Sequence, residues 1–298
     1  MKVAFWSSQP GKNCVTSNMA CMCFMEAKRQ VLQQGKVRNK FSNRQMILLE
    51  NHQAIDNLFH LMGLEMRDVK VREDLFYYTQ SGMNQLLKRI HSKLVNQQAV
   101  MSSALEIVES YLFYLPQSKI INQELFDYDF FSVVKELMVA LEETFGTVCI
   151  DTAVANNKST ETILQEADVV VINIRQDVSD LSLLKQYYQP LFKKAFFLVS
   201  NYSEASKLSL EYLSREYGIP MNRIGKIPYN VFYRDAIAEG DVISYLNECP
   251  KGYRRTEEMQ FAKDIKETAN KLWDYVDVIQ TKTLYVGRDG VLKRAQSL

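Results

Sequence analysis

The sequence has little of what marks secreted, membrane-spanning or strongly nucleic-acid-binding proteins. Its 36 basic and 35 acidic residues nearly cancel, so no overall charge attracts nucleic acid or an anionic membrane. No apolar run reaches the length of a membrane-spanning helix, and the first residues lack the pattern of a secretory signal. We therefore expect a cytoplasmic protein without a transmembrane segment.

Cysteine and histidine are scarce and show no metal-ligand spacing. Cys21 and Cys23 are two positions apart on a predicted helix, so their side chains diverge. His52, His60 and His91 share no spacing typical of a metal site. An odd number of cysteines, mostly in apolar surroundings, is typical of reduced thiols in a cytosolic protein. The sequence therefore predicts reduced cysteines and no histidine-based metal site.

Strand-like and helix-like patterns alternate along the whole chain. Short apolar runs, typical of parallel strands covered on both faces, are separated by segments with apolar residues at helical spacing. There is no internal repeat, low-complexity segment or linker. The sequence therefore predicts an α/β fold, a single doubly wound, mostly parallel sheet flanked by helices, forming one domain over residues 1–298. The predicted strands are residues 3–6, 46–49, 111–115, 147–152, 169–174, 195–200 and 223–228.

Four local predictions concern segments outside these strands. The patterns of residues 97–108 and 203–217 favour helices. Residues 257–275 predict a long amphipathic helix that packs back on the sheet. In the tail, residues 276–298, the sequence Arg288-Asp289-Gly290 lies between short apolar runs and predicts a hairpin turn.

The stretch at residues 3–20 has the order expected of an anion site. A buried strand is followed by a polar turn and then by a helix predicted from Asn13, with Lys12 in its first turn. Backbone N–H groups and the positive end of the helix dipole point into such a turn, and Lys12 adds a full charge. The motif is an incomplete P-loop, because Trp6 stands at its first glycine and Asn13 replaces the magnesium-binding hydroxyl. We predict a nucleotide phosphate here; an ordinary helix start with a Gly-Lys pair is the alternative.

A second informative stretch, residues 147–152, is a buried strand that ends in Asp151. In open α/β sheets, ligands bind at the carboxyl ends of the strands. An aspartate there can hold a metal-bound water of a magnesium-nucleotide complex. The alternative is a capping residue for the helix that follows. Glu50 and Asn51 are polar groups at the end of another predicted strand.

Together these stretches resemble the MinD/ParA-type P-loop ATPases, the deviant Walker group. Gly11-Lys12 and the following residues 16–20 are similar to the family's GKTT motif and to the Asn-Leu-Ala after it on the first helix. Residues 150–152 are similar to its Walker B motif. Residues 167–171 match its next apolar strand, and residues 225–229 its G-x-I-P-Y segment. The resemblance covers nearly the whole chain, with residues 64–110 the least matched. Within the superfamily the chain is most similar to the TadZ/CpaE branch, which localises pilus-assembly machinery, and is also similar to a firmicute group with Trp-Ser near the start of its P-loop.

The resemblance implies a P-loop NTPase-like fold, ATP or ADP as ligand, and Mg²⁺ held weakly. It implies that Lys12 binds phosphate, Asp151 holds the metal, Asn201 reads adenine, and Pro228 and Tyr229 close over the base. Among residues after the second predicted strand, Glu50 and Asn51 are the candidates for the family's switch aspartates, and Glu50 is the candidate catalytic acid. The backbone around the phosphates would be that of Gln9, Pro10, Gly11, Lys12, Asn13 and Cys14.

Three departures from the family pattern decide the predicted mechanism. Ser7 stands where the family has the lysine that reaches the partner's phosphates, Asn13 replaces the metal-binding threonine, and Ala155 replaces the switch glycine. Because phosphoryl transfer depends on charge neutralisation and positioning, their loss predicts nucleotide binding with weak or lost hydrolysis. The function predicted is a positioning or scaffold protein for pilus or secretion assembly. The alternatives are a slow Mg²⁺-dependent ATPase of the partitioning type in which Glu50 acts, and a nucleotide-free interaction module.

Partners are indicated mainly by the resemblance, which implies a homodimer and contacts with pilus, secretion or partition proteins. Lys88, Arg89 and Lys93 on a predicted helix favour a solvated face, with a DNA-binding patch as the less favoured alternative. The tail has a small apolar face, which disfavours a membrane-binding helix.

Overall fold

The computed structural model describes residues 1–9, 14–33, 44–52, 57–64, 82–117, 122–152, 158–251 and 256–295. Eight strands lie within these ranges: β1 (Lys2–Trp6), β2 (Gln45–Glu50), β3 (Leu105–Val108), β4 (Leu112–Tyr114), β5 (Gly146–Asp151), β6 (Val169–Ile174), β7 (Ala195–Tyr202) and β8 (Ile224–Pro228). They form one sheet in the order β3-β4-β2-β5-β1-β6-β7-β8.

Helices connect the strands and cover both faces of the sheet. Those in the described ranges are α1 (Val15–Gln33), α2 (Leu58–Leu61), α3 (Met83–His91), α4 (Gln97–Ser103), α5 (Gln123–Phe145), α6 (Lys158–Glu166), α7 (Val178–Tyr187), α8 (Leu210–Tyr217), α9 (Val231–Glu239), α10 (Val242–Glu248) and α11 (Thr256–Ala295). Short 3₁₀ helices lie at Gln189–Lys194, Met221–Arg223 and Cys249–Lys251.

All neighbouring strands pair in parallel except β3 and β4, which are antiparallel. β1 lies between β5 and β6, so the strand order changes direction beside β1. The predicted fold class, a doubly wound and mostly parallel sheet flanked by helices, is confirmed. In sheets of this kind the carboxyl ends at such a switch point form the usual ligand crevice.

Alternate residues of the strands face two apolar cores. In β1, Val3 and Phe5 belong to the core that contains α1 and α11, whereas Ala4 and Trp6 belong to the core that contains α5 and α6. Burial on both faces explains why these strands are unbroken apolar runs rather than alternating ones. α1 is buried from Thr16 to Ala27, because its residues are apolar or small on nearly every side.

α11 covers the outer strand β8. The Thr268 hydroxyl accepts a hydrogen bond from the Lys226 N–H at 3.1 Å and donates one to the Lys226 carbonyl at 2.8 Å, so a helix side chain satisfies the strand edge. A Cβ at Gly225 would lie 2.5 Å from Thr268 Cγ2, so only glycine permits this approach. Trp273 Nε1 donates to the Met22 carbonyl at 3.0 Å, which joins α11 to α1.

Two predictions for the segments outside the predicted strands are wrong in part. The predicted helix 97–108 ends at Ser103, and Leu105–Val108 form the edge strand β3. Pairing with β4 supplies the hydrogen bonds that the last residues would otherwise have had in a helix. The predicted helix 203–217 starts at Leu210, because the Ser209 side chain caps the Tyr212 N–H and fixes the first turn there.

The hairpin predicted at Arg288-Asp289-Gly290 is also wrong, and the helix predicted at 257–275 is longer than expected. α11 runs without interruption from Thr256 to Ala295. Extending an established helix adds one hydrogen bond for each residue fixed, and the two internal glycines, Gly287 and Gly290, cost only about 1 kcal/mol each. No helix in the described part of the chain combines the length and apolarity that a bilayer crossing needs.

Candidate functional site

The carboxyl edge of the sheet brings together polar residues that are far apart in the chain. Asp151, at the end of β5, is in register with Glu50 of β2 on one side and with Phe5 of β1 on the other. Phe5 is near the end of the strand that leads toward the Gly11-Lys12 turn. The predicted site residues Pro10, Gly11, Lys12 and Asn13 lie outside the described residues, as does Ala155, so their roles stay predictions.

Glu50 and Asp151 form a buried pair of acids. Each is 1% exposed, and both point to the side of the sheet that packs against α1. Glu50 Oε1 accepts a hydrogen bond from the Leu58 N–H at 2.9 Å, and Oε2 accepts one from the Tyr114 hydroxyl at 3.1 Å. Burial raises the pKa of Glu50 to about 7, with His52 lowering it and Asp151 raising it further. Two carboxylates so close in a dry site cannot both stay charged unless a cation lies nearby; otherwise one of them keeps its proton.

His52 supplies one positive charge to this pair. Its Nε2 lies 3.1 Å from Asp151 Oδ1, and its side chain is 17% exposed. Burial by itself lowers the pKa of His52, but the negative charge of Asp151, their hydrogen bond and the charge of Glu50 raise it to about 9. Asp151 Oδ2 is buried and has no hydrogen-bond partner among the described residues. Within the described ranges, the acid pair is therefore only partly neutralised.

Sequence reasoning missed His52, although a signal for it existed. Glu50 and His52 are two positions apart, which places their side chains on the same side if the extended backbone continues past β2. Asn51, between them, turns the other way: its Nδ2 lies 3.4 Å from Ser159 Oγ and 3.3 Å from Thr160 Oγ1 of α6. The ligand-type atoms of Glu50, His52 and Asp151 all lie within 4.8 Å of one another. A histidine thus lies beside the two carboxylates, and the expectation of no histidine-based metal site stays a prediction.

The first part of the predicted phosphate turn is held by its own side chain. Ser7 is fully buried, and its hydroxyl both accepts from the Gln9 N–H at 3.1 Å and donates to the Gln9 carbonyl at 3.2 Å. This local hydrogen bonding is that of a serine turn. On the far side of the turn Cys14 is exposed and has a positive φ of 49°. The two ends of the turn are thus fixed at the carboxyl edge and at the start of α1.

The other predicted residues lie at the ends of β7 and β8. Asn201, with a positive φ of 50°, places its Nδ2 3.9 Å from Cys14 Sγ, beside the start of α1. Pro228 is paired with Tyr202, and the Tyr229 N–H donates to the Tyr202 carbonyl at 2.9 Å. Tyr229 is 50% exposed. The structure therefore brings Asn201, Pro228 and Tyr229 to one region of the edge that is open to solvent.

A buried amide network fixes α1 against this edge. Asn18 Nδ2 donates to Asn173 Oδ1 of β6 at 2.8 Å and to Ser200 Oγ of β7 at 2.7 Å. Asn173 Nδ2 in turn lies 3.3 Å from the Trp6 carbonyl. Because such bonds are stronger in a buried setting, the network holds the first turn of α1 against the ends of β1, β6 and β7.

The fold is similar to those of solved ATPases. A ParA family ATPase from Chlorobium tepidum TLS superposes with a TM-score of 0.62 at 12% identity, covering 90% of this chain and 98% of that one. The cell division ATPase MinD of Pyrococcus furiosus gives 0.62 at 14% identity, covering 92% and 98%. The septum site-determining protein MinD of Pyrococcus horikoshii OT3, complexed with Mg-ADP, gives 0.62 at 12% identity, covering 93% and 98%. At these identities the likeness establishes a shared fold.

No protein-family model matches the sequence, and the search of curated proteins finds no matching relative. What the site does must therefore be argued from its own residues.

Proposed function

We propose that this protein binds ATP or ADP at the carboxyl edge of its sheet and hydrolyses it weakly or not at all. The observation that carries the proposal is Asp151, a buried carboxylate at the end of β5 in register with the strand that leads to Gly11-Lys12. Its Oδ2 has no hydrogen-bond partner within the part of the chain that the structure describes. In this arrangement Lys12 and the N-terminus of α1 hold the phosphates. Asn201 and Tyr229 contact the base from the ends of β7 and β8.

Asp151 also fits the magnesium that accompanies a nucleotide. A carboxylate with a free oxygen at the strand end is the group that holds a metal-bound water, and Mg²⁺ favours oxygen ligands. When bound, the ion would neutralise charge on the phosphates. The position after Lys12 is Asn13, whose side chain is a weaker metal ligand than a threonine hydroxyl. We therefore propose that Mg²⁺ is held weakly.

Weak hydrolysis is supported by the surroundings of Ser7. A residue that contacts the phosphates of a second copy needs a long, exposed, charged side chain. Ser7 is short, fully buried and hydrogen-bonded within its own turn. Substitution of this position removes one charge from the transition state, and such single groups are worth about 10² to 10³ in rate elsewhere.

We propose that nucleotide binding controls the association of this protein with itself and with partners, and that energy from hydrolysis is not used. The resemblance to the TadZ/CpaE branch supports a positioning or scaffold role in the cytoplasm, for pilus or secretion assembly. The bound nucleotide would then govern formation of a homodimer and docking of pilus, secretion or partition proteins. The fold shared with ParA and MinD ATPases supports this proposal without specifying the partner.

Calorimetry with ATP and ADP in the presence of Mg²⁺ tests nucleotide binding. We expect binding at one site per chain, weakened at least about 10-fold in Lys12→Ala because charge-assisted hydrogen bonds to phosphate are lost. Lys185→Ala, which removes an exposed lysine of α7, is the matched control and should bind as the wild type does. Absence of heat and of thermal stabilisation with both nucleotides would contradict the proposal and favour a nucleotide-free interaction module.

A slow ATPase is the second candidate, and the register of Glu50 with Asp151 favours it. A carboxylate beside the metal-holding residue could orient the attacking water. Turnover measured on the same samples separates the two functions: hydrolysis that Glu50→Gln abolishes without loss of nucleotide binding would favour the ATPase. Turnover that survives both Lys12→Ala and Asp151→Ala would indicate a contaminating enzyme.

A further inference from the structure

We propose that Glu50, His52 and Asp151 bind a divalent first-row transition metal ion of the zinc class directly, without a nucleotide. The proposal goes beyond the proposed nucleotide function, in which Mg²⁺ is held through the nucleotide and water. Here the protein alone provides three ligands, one imidazole nitrogen and two carboxylates.

The geometry is close to that of a filled site. Two donors on one ion, each about 2.1 Å from it, are separated by about 3.0 Å at a right angle and about 3.4 Å at the tetrahedral angle. His52 Nε2 and Asp151 Oδ1 are 3.1 Å apart, a hydrogen-bond distance that also lies within this range, so a bound ion would take the place of the proton between them. No two of the three donors are more than 4.8 Å apart, so Glu50 needs a small shift or one bridging water to complete the set.

One carboxylate oxygen of this cluster is buried without a polar contact among the described residues. Asp151 Oδ2 is buried and has no hydrogen-bond partner among the described residues. Since a buried unpaired carboxylate oxygen is strongly destabilising, a ligand for it is expected. Glu50, in register on the next strand, places a second buried carboxylate within 4.8 Å of the Asp151 carboxylate.

The donor set favours zinc-class ions over Mg²⁺. Imidazole is a good ligand for zinc, iron, nickel and copper, whereas Mg²⁺ prefers an all-oxygen environment. A site with one imidazole and two carboxylates should therefore bind transition-metal ions more tightly than Mg²⁺. This preference distinguishes the site from a purely acidic cluster, which would accept Mg²⁺ or Ca²⁺.

Neighbouring groups hold the three ligands in place. The Tyr114 hydroxyl and the Leu58 N–H bond the two oxygens of Glu50, leaving each oxygen one further lone pair. The Gln117 side chain donates to the His52 carbonyl, which fixes the backbone of that ligand. The Asn51 N–H donates to the Asp151 carbonyl at 3.2 Å, which ties the ends of β2 and β5 together. Such outer hydrogen bonds are what orient ligands in metal sites.

The test uses the full chain stripped with EDTA and free of nucleotide. Zn²⁺ binding is measured by calorimetry with and without excess Mg²⁺, and Co²⁺ is added as a spectroscopic probe. We expect one ion per chain, Zn²⁺ binding that excess Mg²⁺ does not displace, and a Co²⁺ spectrum without thiolate charge-transfer absorption. His52→Gln and Asp151→Asn should each weaken Zn²⁺ binding at least about 10-fold, with Glu50→Gln the milder third variant.

His91→Gln is the matched control, because His91 is exposed and contacts Ser132 rather than an acid pair. Circular dichroism checks that each variant is folded. If His52→Gln does not fold, the Zn²⁺ affinity of Glu50→Gln decides the test. The proposal is overturned if Zn²⁺ does not bind, if His52→Gln binds it as the wild type does, or if thiolate absorption assigns Co²⁺ to cysteine. Nucleotide binding, measured separately in EDTA and in Mg²⁺, distinguishes this failure from failure of the proposed function.

Discussion

The two halves of the carboxyl edge differ in burial and in charge. At the ends of β2 and β5, Glu50, His52 and Asp151 are ionisable, close together and largely enclosed. At the ends of β7 and β8, Asn201 and Tyr229 are uncharged and exposed. The same sheet edge therefore has one enclosed region of ionisable groups and one open region, where the exposed Arg234 guanidinium donates to the Tyr229 hydroxyl at 3.2 Å.

The difference in burial and charge determines which kind of ligand group each half of the edge can bind. Coulombic interactions are strong where water is excluded, so the β2–β5 half suits metal ions and phosphate charge. Neutral hydrogen bonds and an exposed ring contribute less and tolerate variation, so the β7–β8 half suits contact with a base. Substitutions should accordingly have large effects in the first half and small effects in the second.

The largest effect is expected from Asp151→Asn. The amide keeps the size of the side chain but removes the charge, so Mg²⁺ should no longer tighten nucleotide binding, and affinity in Mg²⁺ should fall roughly 10- to 100-fold. Titration of a fluorescent ATP analogue, with Mg²⁺ and with EDTA, measures this. Asp129→Asn, at an exposed position of α5, is the control. An equal Mg²⁺ effect in Asp151→Asn and wild type would remove the distinction between the two halves.

A smaller effect is expected from Asn201→Ala. Loss of one neutral hydrogen bond, worth about 1 kcal/mol, should lower ATP affinity about five-fold and leave the Mg²⁺ dependence unchanged. Competition between ATP and GTP for the same fluorescent analogue tests the assignment, since the preference for adenine should narrow in the variant. Asn247→Ala, exposed on α10, is the control. An unchanged preference in Asn201→Ala would mean that this half of the edge does not read the base.

The strands of this fold could be predicted because their signal is local. Residues 3–6 and 148–150 are apolar on both faces, and that pattern alone predicts a buried parallel strand. β3 was not predicted, because Leu105–Val108 form a strand only through pairing with β4. The residues before them do form a helix, so the helical pattern was extended too far. The hairpin predicted at Arg288-Asp289-Gly290 was wrong because the local turn sequence was outweighed by its context, a long helix that continues through it.

The sequence predicted which strands end in Glu50 and Asp151, but it did not predict how Glu50, His52 and Asp151 are arranged in space. Asp151 and Glu50 each end an apolar run, so their place at the edge follows from the sequence. That they are in register depends on β5 lying next to β2, a neighbour relation that no local pattern contains. His52 was missed because its partner is a carboxylate on a distant strand, whereas spacing rules look for ligands near one another in the chain.

The last expected effect is a pH dependence of stability that arises from Glu50 and His52 in the β2–β5 half. The folded pKa of Glu50, about 7, is above its ordinary 4.5, so its contribution to stability is present below about pH 4.5 and is lost as pH rises through 7. The folded pKa of His52, about 9, is above its ordinary 6.5, so its contribution is present below about pH 6.5 and is lost as pH rises through 9. In EDTA, the melting temperature should therefore fall as pH increases over this window.

The double variant His52→Gln, Glu50→Gln isolates these groups from the rest of the protein. Its melting temperature should change less between about pH 4.5 and 9 than that of the wild type, whereas His91→Gln should keep the wild-type slope, because His91 is exposed. Both carboxylate and imidazole must be replaced, since removing His52 alone also removes the charge that lowers the pKa of Glu50. An equal slope in the double variant would place the pH dependence elsewhere and weaken the view that buried charge at this edge distinguishes its two halves.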